Sequence, residues 1–228
     1  MATMVAETTA TPEIIFRQTP DQEIRKAEAP GYTTIDHDGF MAMLESYNTP
    51  EEMHCIEAAY ILAKGAHRNQ KRYSGRRYFD HPREVAIILF KELQLPQWWL
   101  TVIALLHDTL EAEKPSVNPW LLNRVFGRRV TISLKSLSKI PKEGYYDRLR
   151  EFGTAMDLIA KLTDTLHNAR TLYACPLEIK EKQVREITAI SLPLADLLIS
   201  KFPSQKWRGE YLKTEIQAAI RPYLHLLG

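Results

Sequence analysis

Apolar residues that recur every three or four positions, beginning near residue 50, are the feature that most constrains the fold of this chain. Thr49 can cap a helix, Pro50 suits the first helical position, and Glu52 completes a capping box. No segment alternates β-branched and polar residues between hairpin turns. The sequence therefore predicts an all-α fold, a bundle of several helices.

Proline, glycine and asparagine divide this pattern into further predicted helices. One begins at His81, and the next begins at Pro96 and ends before Pro115. The others run from Asn118 to about Gly127, from Tyr145 to about Tyr173, from Leu177 to about Lys201 and from Gln205 to about Leu226. Residues 1–48 show no sustained helical period, and we expect a partly disordered N-terminal arm there. Residues 49–228 are predicted to form the functional domain.

Composition excludes several classes of function. The 228 residues carry a net charge of only +2, which argues against a nucleic-acid polymer as partner. No apolar stretch reaches the ~20 residues that span a bilayer, and the N-terminus lacks the pattern of a secretory signal. Cys55 and Cys175 lie far apart, and we interpret both as reduced thiols. These features predict a cytoplasmic protein without a membrane partner; they do not indicate its oligomeric state.

Four residues on three predicted helices form a candidate metal site. His107 and Asp108 end an apolar segment, Asp164 lies within another, and His81 begins a helix. A charge in apolar surroundings is costly unless something compensates it. Imidazole and carboxylate groups suit manganese, iron, zinc or magnesium. We therefore predict that one divalent cation joins these four side chains.

Residues around this set have the chemistry to handle an anionic nucleotide. Lys161, Asn168 and Thr171 share one helical face with Asp164, and we expect them to bind substrate. Arg72 lies in a short basic segment and can contact phosphate or a base. Glu111 follows His107 by one helical turn, so it is the predicted catalytic carboxylate. His67 and Gln70 are expected to support the site from behind its ligands.

Three motifs, in order, resemble a known family. They are Ala66-His67-Arg68-Asn69-Gln70-Lys71-Arg72 with Gly75, Tyr78 and His81-Pro82; Leu105 to Glu111; and Lys161 to Thr171. The pattern is similar to HD-domain phosphohydrolases, and within them to RelA/SpoT-type alarmone hydrolases, from about residue 53 to residue 200. Since no synthetase segment follows, the resemblance is to small alarmone hydrolases. It implies that His81, His107, Asp108 and Asp164 hold Mn²⁺, and that pyrophosphate is removed from the 3′ position of ppGpp or pppGpp.

The chain departs from the family pattern at Ala112, at Tyr73 and at Thr165, which stands where the family often has arginine. Ala112 follows Glu111 where the family usually has an aspartate, and Ala112 can neither accept a proton nor orient water. Glu113 is the nearest substitute, although on a continued helix it would project about 200° away from Glu111. Tyr73 replaces a basic residue and is a candidate base contact. Two alternatives therefore stay open: a hydrolase of another nucleotide such as (p)ppApp, and a non-catalytic nucleotide-binding protein.

Overall fold

The computed structural model describes residues 35–111 and 117–227. Throughout these residues the regular secondary structure is helical, with no β-strand and one isolated bridge between Lys71 and Arg77. The predicted all-α class is confirmed. The α-helices, in chain order, are α1 (His37–Glu45), α2 (Pro50–Ala66), α3 (Asp80–Lys91), α4 (Trp98–Leu106), α5 (Pro119–Leu137), α6 (Tyr145–Phe152), α7 (Ala155–Arg170), α8 (Leu177–Glu186), α9 (Leu192–Lys201) and α10 (Lys206–Ile220). A π-helical turn, Ile187–Ser191, joins α8 to α9, and a 3₁₀ segment, Arg221–Leu227, follows α10.

Helices α3, α4 and α7 form the centre of the molecule. Every residue of α4 from Leu100 to Leu106 is buried, and so is nearly every residue of α3 and α7. Helix α4 packs against α2, α3 and α5, while α7 packs against α3 and α10. Helix α4 is apolar on almost all sides, and such a helix must be enclosed by others; α3 and α7 also bury their polar side chains, which therefore need partners inside the bundle. The three helices that carry the predicted metal ligands are thus the most enclosed ones.

A described helix lies within the segment that was predicted as an arm. Asp36 caps α1 by accepting a hydrogen bond from the Gly39 amide at 2.8 Å. Phe40 and Leu44 are fully buried, and α1 packs against α2. The disorder predicted for the first residues of the chain falls outside the described residues.

Two breaks occur in the middle of the chain, one at a predicted helix end and one inside a predicted helix. Gly127 interrupts the helical geometry where the sequence predicts a helix end: its φ of +81° and ψ of 172° are non-helical, and a second helical segment continues beyond this kink to Leu137. The predicted helix from Tyr145 to Tyr173 is two helices, because it breaks at Gly153 and Thr154. Thr154 and Asp157 form a capping box that starts α7 anew. Propensity alone does not reveal such breaks inside a periodic segment.

None of the helices in the described part of the chain is both long enough and apolar enough to cross a membrane.

Candidate metal centre and active site

His81 is the second residue of α3, and its ring lies at the centre of the bundle. Its side chain is 1% exposed. The ring Nε2 is 3.1 Å from Oδ1 of Asp164 and 3.7 Å from Oδ2 of Asp108. One edge of this imidazole thus faces both predicted carboxylate ligands.

His107 follows the last residue of α4, and its ring is oriented by the backbone of that helix. Its Nδ1 donates a hydrogen bond to the carbonyl of Ala104 at 2.7 Å, because a carbonyl oxygen can only accept. In the neutral imidazole, the form that can bind a metal, Nε2 then carries the lone pair; it lies 3.2 Å from Oδ2 of Asp108 and 3.7 Å from Oδ1 of Asp164. This Nε2 is buried and has no hydrogen-bond partner in the described part of the chain.

The four predicted ligands converge. His81, His107 and Asp164 each offer one ligand atom, and these atoms lie within 4.8 Å of one another. Asp108 does not belong to that tight group, but its Oδ2 lies next to both imidazoles. Two imidazole nitrogens with carboxylate oxygens are a donor set for a divalent transition metal. The unpartnered Nε2 of His107 fits the same interpretation, since a metal ion would satisfy it.

Electrostatics at this point of the structure favour a positive charge. Burial opposes ionisation of Asp164, yet Lys161 and the two histidines hold the pKa of Asp164 well below its usual range. Burial likewise opposes ionisation of Asp108, but the neighbouring His107 lowers the pKa of that carboxyl group. Burial disfavours a charged His107, but the two carboxylates raise its pKa well above the ordinary value. Both carboxylates are therefore anionic and can serve as ligands.

Further polar side chains hold these carboxylates in place. The hydroxyl of Tyr78 donates to Oδ2 of Asp108 at 2.7 Å. The ammonium of Lys161 donates to Oδ2 of Asp164 at 2.8 Å, and the amide of Asn168 donates to Oδ1 of Asp164 at 2.7 Å. Outer hydrogen bonds of this kind orient metal ligands. Lys161, predicted to touch phosphate, is thus also the partner of Asp164.

The predicted polar face of α7 continues into the loop before α3. Arg72 donates to Oδ1 of Asn168 at 2.9 Å and to the hydroxyl of Thr171 at 3.1 Å. Its guanidinium also lies over the ring of Tyr78, 5.9 Å from the centroid. The structure therefore joins Arg72, Asn168 and Thr171 into one network. Tyr73 is 62% exposed beside it.

Two cavities open next to this network. The larger, of about 420 Å³, is bordered by Arg72, Tyr73, Tyr78, Asn168, Thr171 and Cys175, among others. The second, of about 310 Å³, is bordered by Tyr73, Lys139, Lys161, Asp164, Asn168 and Lys182, among others. Both are concave and polar, and three lysines border the second. Their chemistry suits an anionic ligand that reaches Asp164.

Glu111 lies near the candidate ligands, but not on the helical face that the sequence predicts for it. Helix α4 ends at Leu106, because Thr109 closes a turn onto the Leu106 carbonyl through its amide and its hydroxyl. Glu111 therefore follows in a turn, not on a continued helix. Its Oε1 accepts a hydrogen bond from the amide of Lys139 at 2.6 Å. Glu111 borders a small cavity together with His107, Asp108, Lys161 and Asp164. Glu113 and Ala112 lie outside the described residues.

His67 and Gln70 lie behind Tyr78. Nδ1 of His67 is 2.6 Å from Oε1 of Gln70, and the His67 ring stacks on Tyr78 with centroids 4.7 Å apart. His67 thus contacts Tyr78, whose hydroxyl donates to Asp108, and Gln70 contacts His67; neither residue touches a candidate ligand directly in these contacts.

Three further residues, Tyr78, His167 and Lys139, contact the predicted site residues. Tyr78 and His167 lie inside the quoted motifs, but residue type and spacing do not show which groups their side chains contact. His167 is 3% exposed, and its Nδ1 is 2.8 Å from Nδ1 of His81. Lys139 lies in no motif, and only the folded structure brings its amide to Glu111.

Three curated proteins show the range of sequence similarity to this chain. Over 187 residues the chain is 32% identical to guanosine-3′,5′-bis(diphosphate) 3′-pyrophosphohydrolase of Aquifex aeolicus, covering 77% of this chain and 26% of that protein. It is 30% identical over 168 residues to the bifunctional (p)ppGpp synthase/hydrolase SpoT of Escherichia coli, covering 68% and 23%. It is 37% identical over 153 residues to a GTP pyrophosphokinase of Streptomyces coelicolor, covering 63% and 18%. The chain thus spans about a quarter or less of the length of these relatives. No family model matches it.

A solved structure shares the fold. It belongs to a metazoan ortholog of SpoT that hydrolyses ppGpp; the TM-score is 0.58 at 20% identity, covering 77% of this chain and 97% of that one. The fold and the His–Asp centre define an all-α HD-domain protein. The relatives narrow this class further: the chain belongs to the RelA/SpoT-type HD-domain family.

Proposed function

We propose that this chain is a metal-dependent 3′-pyrophosphohydrolase of (p)ppGpp-like alarmones. Water and ppGpp would give GDP and pyrophosphate, with Mn²⁺ as the cation. The proposal includes a cytoplasmic location, in keeping with two free and partly exposed thiols, Cys55 and Cys175. Its partner is a nucleotide, not a nucleic-acid polymer or a membrane.

The convergence of His81, His107, Asp108 and Asp164 is the observation that carries this proposal. These residues are scattered over more than 80 positions of the sequence, yet they meet at one buried point beside two polar cavities. A divalent cation bound there would polarise a phosphoryl oxygen and lower the pKa of a water molecule. The relatives in this family include proteins named for 3′-pyrophosphate hydrolysis of this nucleotide.

The side chains around the centre have separate parts in this reaction. Glu111, held through Oε1 by the Lys139 amide, is placed to orient a water molecule and accept its proton. Lys139, Lys161 and Lys182 border the cavity where a pyrophosphate group would lie, and their positive charge offsets its negative charge. Arg72 and Tyr73 border the larger cavity and provide a cation and an aromatic face for the nucleoside.

A hydrolysis assay with product identification tests the proposal. We would strip the full chain of metal, reload it with Mn²⁺, and incubate it with ppGpp, pppGpp and ppApp. We expect pyrophosphate in equal amount to GDP from ppGpp. Asp164→Asn should lower the rate by at least 10³-fold, since it removes a ligand. Asp147→Asn is the matched control, because Asp147 is exposed and pairs only with Arg150 in the described part of the chain.

Two results would contradict the proposal in different ways. Hydrolysis of ppApp alone would show that the substrate is the adenine nucleotide. The exposed Tyr73, which borders both cavities, is compatible with either base. Binding of Mn²⁺ and ppGpp with all three nucleotides left intact would favour a non-catalytic nucleotide-binding protein, as the Ala112 replacement allows.

A further inference from the structure

His81 and His167 form a pair of buried imidazoles in which only one edge of His81 faces the metal centre. Nδ1 of His81 lies 2.8 Å from Nδ1 of His167, and the ring centroids are 4.7 Å apart. Nε2, on the opposite edge of His81, faces Asp164 and Asp108. The exposed fractions are 1% for His81 and 3% for His167, so water does not compete for this contact.

Hydrogen-bond chemistry restricts where the protons of this pair can be. A hydrogen bond between two imidazole nitrogens needs one N–H donor and one lone pair. A nitrogen that binds a metal uses its lone pair, so a His81 that binds through Nε2 carries its proton on Nδ1. His167 must then accept through Nδ1 and carry its own proton on Nε2.

The two candidate histidine ligands are oriented by different kinds of hydrogen-bond partner. His107 is oriented by the Ala104 carbonyl, a backbone acceptor that no substitution removes. His81 depends on a side chain instead. His167 lies on α7 three residues after Asp164, so one helix supplies both a ligand and the partner of a ligand on α3. The acceptor is also uncharged, whereas a carboxylate is the common partner of metal-bound imidazoles.

We propose that His167 is a positioning residue that selects the tautomer of His81 and turns its Nε2 toward the cation. This inference rests on the metal centre of the proposed function. A carboxylate at position 167 would instead raise the basicity of the His81 ring and so lower the Lewis acidity of a cation bound there.

Titration with Mn²⁺ alone, followed by calorimetry, tests the effect on affinity in the full chain. His167→Leu removes the acceptor, and we expect Mn²⁺ to bind about 10–100-fold more weakly. His167→Asn returns an acceptor oxygen near the position of Nδ1 and should recover most of the affinity. Thr131→Val is the control, because it removes a buried hydroxyl that donates only to Gly127 on α5. It should bind Mn²⁺ as the unmodified chain does.

A second measurement needs no variant. Long-range ¹H–¹⁵N spectra of the unmodified chain, loaded with diamagnetic Zn²⁺, report which ring nitrogen carries each proton. We expect the proton of His81 on Nδ1 and that of His167 on Nε2. A proton on Nε2 of His81, or an unchanged Mn²⁺ affinity in His167→Leu, would overturn the inference. A chain that shows the expected tautomers and affinities but hydrolyses no alarmone would support it while refuting the hydrolase.

Discussion

The two candidate carboxylate ligands, Asp164 and Asp108, differ in the hydrogen bonds that hold them. Asp164 receives two hydrogen bonds from its own helix, through Lys161 and Asn168. Asp108 receives one from Tyr78, which lies 30 positions earlier in the sequence. Because Asp108 is also the more exposed of the two, at 23% against 11%, its orientation depends more on this one distant partner.

Replacement of Tyr78 by phenylalanine should therefore weaken the metal centre without unfolding the chain. We expect Tyr78→Phe to lower Mn²⁺ affinity by about 10-fold or more, the usual cost of losing an outer partner of a ligand. Tyr211→Phe is the matched control, since the Tyr211 hydroxyl donates to Glu92 at 2.5 Å and neither residue borders the centre. Calorimetric titration with Mn²⁺ compares the two; equal affinities would show that Tyr78 does not orient Asp108.

Among the elements, the break between α6 and α7 sets where the helix that carries Asp164 begins. Gly153 ends α6 and Thr154 starts α7, and the segment Lys161 to Thr171 then has its polar face toward the cavities. A Cβ atom on Gly153 would lie 2.3 Å from the Leu149 carbonyl oxygen, which real structures do not tolerate. Glycine is thus required there by close approach of the backbone, since its φ of −62° is ordinary.

Two glycine substitutions should change stability in opposite directions. Gly153→Ala forces the end of α6 to shift, and we expect a loss of about 1–3 kcal/mol in the free energy of unfolding. Gly65→Ala, in the last turn of α2, meets nothing within 4 Å, so it should gain up to about 1 kcal/mol from the better helix propensity of alanine. Urea unfolding measures both; a neutral Gly153→Ala would show that the break can move.

At the scale of the described bundle, the candidate metal centre lies where three separate helices meet. His81 comes from α3, His107 and Asp108 from the end of α4, and Asp164 from α7. The ligand atoms of His81, His107 and Asp164 lie within 4.8 Å of one another only because the folded bundle brings these helices together. A cation bound at this point would hold the three helices together, because the unfolded chain offers no such site.

Metal loading should consequently stabilise the entire fold. At free Mn²⁺ 100-fold above its Kd, we expect the free energy of unfolding to rise by about 2.7 kcal/mol. EDTA should remove this increment, and Asp164→Asn should never show it, whereas Asp147→Asn should. Thermal and urea unfolding with and without Mn²⁺ measure the effect. An equal increment in Asp164→Asn would place the bound cation elsewhere.

The sequence by itself determined the helical class and the caps at Thr49 and Asn118, and it pointed to four candidate ligands, three of which form one tight group in the structure. These depend on local rules: spacing along a helix, capping chemistry, and the cost of charge in apolar segments. The break at Gly153 was missed, because it depends on contacts that helical periodicity does not record.

Only the tertiary structure decided how the ligands are held. The bond from Tyr78 to Asp108, the pairing of His81 with His167, and the amide of Lys139 at Glu111 join residues 28 to 86 positions apart. The end of α4 at Leu106, which places Glu111 in a turn, also emerged only there. Such contacts follow from how whole helices pack, whereas residue type and spacing act within a few turns of one helix.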